Sequence, residues 1–281
     1  MVERNLAKVD VARSNRVTRF HVYLFLDFKY SSSDRFRFLL VIGESCTDIF
    51  IYGTSERKSP EGKGPVFVPQ RETYGMGMAS NTTNNLAAMG VDVDVFSDNG
   101  NIIKTRYVNE KTNELYLRVD ENDSVERIDI NELPELNQYD AIIISDYCKG
   151  FLTEEDIDKI ASMHDLVIAD TKKKLGDWCK NLKFIKINRL EWEVSKDVIR
   201  DNEWLFDKII CTLDKTGTSY KHTTYSVISI ENADVSGAGD TFVAGFVARY
   251  LDSEDISVSI EWANYCAGEV VKKKGVSVFG K

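Results

Sequence analysis

Three small residues directly before an acid form the segment best suited to chemistry. Gly237, Ala238 and Gly239 precede Asp240, and an apolar run follows the acid. Small residues let an anion approach the backbone N–H groups at a helix N-terminus. A carboxylate at that point can accept a proton from an attacking hydroxyl, whereas glycines and an Asp also mark an ordinary helix start. The segment favours phosphate chemistry, with a plain turn before a helix as the alternative.

Short apolar runs that end in polar residues predict the strands that position this segment. "FLLVIG" begins at Phe38, and "AIIISD", "DLVIAD", "FIKIN" and "KIICTL" repeat the pattern, with helix-like stretches such as 153–163 between them. Strands that alternate with helices indicate an α/β fold with a mainly parallel sheet. Ligands bind beyond the C-terminal ends of such strands. We therefore expect four polar residues to lie on one rim, namely Asp146, Asp170, Asn188 and Thr212.

Two β-rich regions, at about 49–73 and 102–119, interrupt the alternation of strands and helices. They predict a small accessory sheet that is inserted into the larger domain. Its apolar residues, which include Ile49, Ile51, Val66 and Phe67, are expected to be exposed and to leave an uncovered face on a monomer.

Composition limits the class of protein. The chain has 281 residues, of which 43% are hydrophobic, so it can bury the core of one large domain. Its 36 basic and 45 acidic residues give a net charge of -9, which argues against a nucleic-acid binder. Five scattered cysteines without a C-x-x-C pair favour a reducing cytoplasm over a zinc site or disulfides. No apolar run approaches the roughly 20 residues that span a bilayer.

The first 38 residues differ in charge from the rest of the chain. They carry eight basic and four acidic side chains, whereas the whole chain is acidic. We interpret residues 1–38 as an extension without a part in the chemistry. A basic arm that docks on an acidic partner is the alternative.

Several segments carry a family resemblance. "DVSGAGD" resembles the D-T-x-G-A-G-D signature of ribokinase-like (PfkB-type) sugar kinases, and "YGMGMASNTTNNLAAMG" resembles their G-G-A-x-N-x-A segment. "IGESCTDIFIYG", followed by "SERKSPEGKGPVFV", resembles the start of the bacterial D-glycero-β-D-manno-heptose-7-phosphate kinase branch. "ISDYCKGFL", "ADTKK", "IKINRLEWE" and "ANYCAGEVVKKKG" then follow in that branch's order. The resemblance covers residues 39–281 and implies a sugar kinase domain with the ribokinase-like three-layer α/β fold, a mainly parallel central sheet and a small β-sheet lid.

The resemblance implies roles for the glycine segment and for the sugar side. The N–H groups of Gly237, Ala238 and Gly239 would bind the transferred phosphoryl group, and Asp240 would be the general base. Asp48, Gly77 and Asn81 would contact the sugar, and Lys104 with Arg106 would hold the substrate's own phosphate. Without the family, Asp48 is better interpreted as a surface turn residue. Asn81 is equally a helix cap, and the two cations are equally exposed strand residues.

On the nucleotide side, the resemblance implies ATP as the phosphoryl donor. The matching residues are Asp170, Lys172, Asn188, Thr212, Asp214, Gly217 and Asn264. Asn188 and Glu191 match the family's N-x-x-E, which organises Mg²⁺ through water, and Mg²⁺ prefers such oxygen ligands. A monovalent cation is a further implied cofactor. Without the family, Glu191 is simply a solvated helix residue. For Asn264, a helix-surface asparagine is the alternative.

The matches predict an ATP-dependent kinase that phosphorylates heptose 7-phosphate at the anomeric hydroxyl and forms a 1,7-bisphosphate. Three departures keep alternatives open: Met78 replaces a family glycine, Asp214 adds a carboxylate to the nucleotide loop, and a helix-containing stretch is absent between "VFSDNG" and "NIIKTRYV". The alternatives are a kinase of the same fold for another sugar and a non-catalytic nucleotide-binding homologue. Related kinases pair their lids across a two-fold axis, which implies a homodimer here. We expect a small sugar or sugar phosphate as the partner, and neither nucleic acid nor membrane.

Overall fold

The structure is a computed structural model and describes residues 18–20, 37–98, 101–228, 230 and 233–280. Its strands are β1 (Thr18–Phe20), β2 (Phe38–Gly43), β3 (Ser45–Lys58), β4 (Pro65–Met78), β5 (Asp92–Ser97), β6 (Ile102–Asn109), β7 (Leu115–Glu121), β8 (Ala141–Asp146), β9 (Val167–Thr171), β10 (Phe184–Asn188), β11 (Ile209–Thr212), β12 (Thr218–Tyr220) and β13 (Thr223–Tyr225). Its α-helices are α1 (Ala79–Ala88), α2 (Glu154–Ser162), α3 (Arg189–Asp201), α4 (Glu203–Phe206), α5 (Ala238–Ser253) and α6 (Ile256–Val270).

The main sheet has the strand order β1-β5-β2-β8-β9-β10-β11-β12-β13. The six strands from β5 to β11 in that order are parallel, and β1, β12 and β13 add antiparallel edges. The five strands that we predicted from apolar runs are β2, β8, β9, β10 and β11. The expectation of a mainly parallel sheet is therefore confirmed.

Helices cover both faces of this sheet, because the side chains of its parallel strands are apolar in both directions. In β2, Leu40 and Ile42 pack into the core that contains α2 and α3. Leu39 and Val41 point to the opposite core, which contains α1, α5 and α6. The result is the expected three-layer arrangement.

The helix predicted over 153–163 is α2, and its ends have identifiable causes. The Thr153 hydroxyl accepts a hydrogen bond from the Asp156 backbone N–H at 3.1 Å, and the Asp156 carboxylate accepts one from the Thr153 N–H at 2.9 Å. This reciprocal capping box satisfies two backbone donors that a helix N-terminus otherwise leaves free. The helix ends at Ser162, with Met163 as its C-cap.

The accessory sheet has the order β4-β3-β6-β7 and is called the lid below. Its strands extend beyond the predicted limits of 49–73 and 102–119, because no loop separates the lid from the main domain. Only Glu44 lies between β2 and β3, and β4 continues directly into α1.

One face of the lid exposes large apolar side chains. The four residues that we expected there, Ile49, Ile51, Val66 and Phe67, are only half-exposed, so that expectation is wrong. The Phe67 ring, for example, packs edge-on against Tyr107 and Tyr116, with centroids 5.4 and 5.7 Å away. The exposed large apolar residues on the face of Ile49 and Ile51 are Tyr74, Met76, Leu117 and Val119.

The predicted N-terminal extension contributes one described element. Strand β1 pairs antiparallel with β5 at the edge of the main sheet. Residues 1–17 and 21–36 lie outside the described part of the chain. Among the described residues, no helix is long and apolar enough to cross a membrane.

Candidate active site

The C-terminal ends of four neighbouring parallel strands form one rim of the main sheet. Asp146 ends β8, Asp170 is the penultimate residue of β9, Asn188 ends β10 and Thr212 ends β11. The register pairs Asn188 with Thr212 and sets Lys186 beside Asp170. The predicted clustering of these residues is confirmed, since parallel strands end on the same edge.

The glycines before Asp240 are required by close contacts. Gly237 has a φ of 78° and precedes α5, a left-handed conformation that favours glycine. A side chain at Gly237 would begin 2.6 Å from Asn81 Nδ2, and one at Gly239 would begin 2.9 Å from Lys186 Nζ. The Ala238 N–H, which we expected to face a phosphoryl group, donates instead to the Val235 carbonyl at 3.2 Å.

Asp240 lies in the first turn of α5 and is buried. Its Oδ2 accepts a hydrogen bond from Asn81 Nδ2 at 2.9 Å, and its Oδ1 accepts one from the Tyr147 hydroxyl at 2.5 Å. Burial raises the pKa of Asp240 from 3.8 to about 6, and these two hydrogen bonds oppose that rise. At neutral pH the carboxylate is therefore ionised, yet basic enough to accept a proton.

Asn81 is held by contacts that reach the last described residues. Asn85 Nδ2 donates to Asn81 Oδ1 at 3.1 Å, and the Phe279 backbone N–H donates to Asn85 Oδ1 at 2.9 Å. The amide of Asn81 is thereby oriented with its NH₂ toward Asp240. The alternative of a helix cap is wrong, because Asn81 lies inside α1 and the N-cap is Met78.

The loop after β8 carries Tyr147 and is fixed by a buried acid. The Glu44 carboxylate accepts hydrogen bonds from the backbone N–H groups of Tyr147 at 2.8 Å, Lys149 at 2.9 Å and Phe151 at 3.3 Å. Burial raises the pKa of Glu44, while those N–H donors oppose the rise.

Alternating charges connect the rim to the turn before Asp240. Lys186 Nζ contacts both Asp170 oxygens at 3.2 and 3.1 Å, and Lys172 Nζ lies 3.7 Å from Asp170 and 2.7 Å from Glu191. Burial alone would raise the pKa of Asp170, but the two ammonium groups outweigh it and lower that pKa. Burial alone would likewise lower the pKa of Lys172, but Asp170 and Glu191 raise it.

Asn188 and Glu191 form the N-terminal cap of α3. The Asn188 side chain accepts from the Glu191 N–H at 3.0 Å, and the Glu191 carboxylate accepts from the Asn188 N–H at 2.7 Å. Among the described residues, no group of three or more His, Cys, Asp or Glu could hold a metal directly. The amide and carboxylate oxygens therefore fit a Mg²⁺ that keeps most of its water, and they do not form a direct cage.

The lid contributes a charged group above the loop that carries Tyr147. The Asp48 carboxylate accepts a hydrogen bond from Arg106 on the adjacent strand β6. A side chain at Gly77 would begin 2.1 Å from Asp48 Oδ2, so this glycine makes room for the carboxylate. Lys104 is only 6% exposed, forms no ion pair with any described residue, and lies with Nζ 5.2 Å from the Tyr147 ring centroid.

The remaining predicted nucleotide residues lie around β11, β12 and α6. Thr212 Oγ1 donates to the Ile187 carbonyl at 3.3 Å, and Asp214 is exposed with a φ of 51°. A side chain at Gly217 would begin 2.0 Å from the Tyr225 carbonyl oxygen. Asn264 accepts from the Thr218 hydroxyl at 2.7 Å and donates to the Tyr225 carbonyl at 3.2 Å, so its amide joins α6 to this loop.

The predicted site residues thus fall into four groups. Gly237, Gly239 and Asn81 surround Asp240, and Lys172, Asn188 and Glu191 are linked to Asp170. The lid group consists of Asp48, Gly77, Lys104 and Arg106. The fourth group, around β11, β12 and α6, consists of Thr212, Asp214, Gly217 and Asn264, and within the described residues it forms no hydrogen bond or ion pair with Asp240.

The sequence model of pfkB family carbohydrate kinases matches residues 79–279, which is more than half of the chain. The chain belongs to this family. Among curated relatives, this kinase is 28% identical to the bifunctional protein HldE of Helicobacter pylori strain Shi470, over 84% of this chain and 63% of the relative. It is 27% identical to the bifunctional protein HldE of Aliarcobacter butzleri, over 84% of this chain and 61% of that protein. The chain therefore spans less than two thirds of these relatives.

Solved structures of three kinases share the fold of this kinase. The ribokinase of Thermotoga maritima has a TM-score of 0.65 at 15% identity, and the match covers 86% of this chain and 95% of that one. The nucleoside kinase of Methanocaldococcus jannaschii has a TM-score of 0.62 at 17% identity, covering 87% and 94%. Phosphofructokinase-2 of Escherichia coli, in complex with potassium, has a TM-score of 0.64 at 12% identity, covering 87% and 96%.

Three residues of this site were not predicted from the sequence, namely Glu44, Tyr147 and Lys186. Tyr147 lies in "ISDYCKG" and Lys186 in "IKIN", which we used only to recognise the family. The signal for Lys186 was a lysine within an otherwise apolar strand, since a buried ammonium requires a charged partner.

Proposed function

We propose that this chain transfers the γ-phosphoryl group of ATP to heptose 7-phosphate at the anomeric hydroxyl and forms a 1,7-bisphosphate. Membership of a carbohydrate kinase family supports the reaction class. Similarity to proteins named bifunctional protein HldE supports the heptose substrate.

The environment of Lys104 is the observation that supports a phosphorylated substrate. Lys104 is largely buried and forms no ion pair with a described residue, so its ammonium group is available to an anionic substrate. Its Nζ lies over the ring of Tyr147, and the hydroxyl of that same tyrosine contacts Asp240. A phosphate bound at Lys104 would therefore lie on the lid side of the candidate base. The sugar would lie between the two, with Asp48 available for its hydroxyls.

Asp240 is the residue that we assign as general base. As its carboxylate takes the proton of the anomeric hydroxyl, that oxygen bonds to the γ-phosphorus, and the bond from this phosphorus to the β–γ bridging oxygen breaks, which releases ADP. Lys186, beside Gly239, would offset the negative charge on the transferred group.

Asn188 and Glu191 would hold Mg²⁺ through its water molecules. When bound, Mg²⁺ neutralises charge on the ATP phosphates. A monovalent cation remains an expected cofactor on the family resemblance, and a cytoplasmic location remains an expectation from the free cysteines.

We propose that two copies of this chain pair through the apolar face of the lid. Four large apolar side chains are exposed there, and Tyr74 reaches 64% exposure. A second copy would remove this surface from water, and a two-fold axis would let the same face meet itself.

A kinase for a different sugar is the second candidate. Only residues 98–101 connect β5 to β6, so this connection has no room for the helix-containing stretch that the family resemblance implies. That stretch belongs to the sugar side, and its loss would change the shape of the sugar pocket.

A panel of heptoses and other sugars, each with and without a terminal phosphate, tests both candidates with ATP and Mg²⁺. We expect Lys104→Met to raise KM for the phosphorylated sugar about 10- to 100-fold, since a hydrogen bond to a charged group contributes about 1.5–3 kcal/mol. KM for the unphosphorylated sugar should change little, and Lys111→Met in an exposed lid turn is the matched control. Equal effects on both sugars would remove Lys104 from the phosphate site, and turnover of a different sugar alone would favour the second candidate.

A further inference from the structure

The tyrosine that contacts the candidate base has no role in the reaction described above. We propose that Tyr147 is a positioning residue, which holds the Asp240 carboxylate in the orientation and charge state that accept a proton. This inference rests on the proposed role of Asp240 in phosphoryl transfer.

The geometry leaves the Asp240 carboxylate little rotational freedom. Tyr147 donates to Oδ1 at 2.5 Å, while Asn81 donates to Oδ2 at 2.9 Å. Two donors on two different oxygens fix the carboxylate plane. Each oxygen also keeps a second lone pair with which a substrate hydroxyl can interact.

Tyr147 is itself fixed on two sides. The Glu44 carboxylate accepts from its backbone N–H at 2.8 Å. The ammonium groups of Lys104 and Lys172 lie 5.2 and 5.1 Å from its ring centroid, within the range of cation–π attraction. Burial first, and then the charge of Asp240, raise the pKa of Tyr147 well above its ordinary value, so the phenol stays protonated and acts as a donor.

The hydrogen bond from Tyr147 should shift the pKa of Asp240 in one predictable direction. Hydrogen bonds to the ionised carboxylate from Tyr147 and Asn81, together with the charge of Lys186 on β10, favour that ionised form and lower its pKa. Burial and the charge of Asp170 on β9 act in the opposite direction. The charge of Lys172, which follows β9, also favours the ionised form of Asp240. The charge of Asp240 in turn helps to raise the pKa of the Cys46 thiol on β3. Removal of the tyrosine hydroxyl should therefore raise the pKa of Asp240.

The decisive measurement is the pKa of Asp240 in Tyr147→Phe, read directly by carbon-detected NMR on protein labelled with ¹³C-aspartate. Asp240→Asn identifies the resonance by its loss. We expect a rise of about one unit or more above the value of about 6, because a hydrogen bond to a charged group contributes about that much. The acidic limb of kcat/KM against pH should move by the same amount. Tyr139→Phe is the matched control, because it removes another buried tyrosine hydroxyl from an aspartate, Asp94, at 2.9 Å.

Incorporation of 3,5-difluorotyrosine at position 147 tests the same contact without a loss of volume. Fluorine strengthens the phenol as a donor, so the pKa of Asp240 should fall. This result decides the proposal if Tyr147→Phe does not fold. An Asp240 pKa that moves with neither change would overturn the positioning role. Absence of turnover in the wild type, with both pKa shifts present, would instead refute the proposed function alone.

Discussion

Replacement of Asp240 by Asn should remove most turnover, and the stability of the variant relative to the wild type should rise with pH. Asp240 is buried, and its pKa rises from 3.8 to about 6, mainly because burial disfavours the charged form. One pKa unit corresponds to about 1.4 kcal/mol, so this shift corresponds to about 3 kcal/mol.

The sign follows from proton binding. The folded state holds the Asp240 proton more tightly than the unfolded state, so the stability from this group is fully present below pH 3.8 and is lost as the pH rises through about 6. Asn cannot ionise. The stability of Asp240→Asn relative to the wild type should therefore rise by about 3 kcal/mol between about pH 3.5 and pH 7.5.

Urea denaturation of both proteins at a series of pH values measures this difference, with the slope m checked for constancy. Asp156→Asn is the control, because its stability relative to the wild type should change with pH in the opposite direction. Burial would raise the pKa of Asp156, but its pairing with Arg127 and its hydrogen bonds from Thr153 together outweigh burial and lower that pKa. A stability difference for Asp240→Asn that stays flat across this range would refute the desolvation argument. Retention of more than about a tenth of the wild-type kcat would separately remove Asp240 as the base.

Two further predictions concern the nucleotide loop and the lid. Asp214→Gly should lower the Kd for ATP several-fold with kcat nearly unchanged, because it removes a carboxylate that would repel the phosphates. The loop should keep its conformation, since the φ of 51° at this position suits glycine. Calorimetric titrations at several Mg²⁺ concentrations measure it, and equal affinities would mean that Asp214 points away from the phosphates. Leu117→Lys, on the exposed lid face, should convert a dimer to a monomer of 31.9 kDa in light scattering at micromolar concentration. A wild type that already has that mass would contradict pairing through the lid.

The strands of the main sheet could be predicted from the sequence because each is marked by a short run of neighbouring apolar residues. Runs such as "FLLVIG" and "AIIISD" are apolar on both faces, which is typical of buried parallel strands. The lid was harder to delimit, since β3 and β4 cross from a buried base to an exposed tip and no turn residue marks the change. Phe67 was wrongly expected to be exposed because its cover comes from Tyr107 and Tyr116, which lie on other strands.

The site was predictable where a motif places residues within a few positions of one another. The turn before Asp240 and the cap formed by Asn188 and Glu191 are of this kind. Tyr147 and Asn81 meet Asp240 across 93 and 159 positions of sequence. No spacing rule connects such distant residues, so only the packed structure shows that both donors reach the same carboxylate.

The junctions of the lid with the main domain determine how the lid can evolve. Glu44 and Met78, at the bases of its two long strands, are almost fully buried. Asp48 lies four residues beyond the first junction, whereas the turn at 59–64 is at the far tip. Core packing therefore fixes the position of the residues where the lid joins the main domain, whereas the residues at its tip have few such constraints. Substitutions and insertions can accumulate at the tip and alter which surfaces meet there, without displacing the carboxylate proposed to face the sugar.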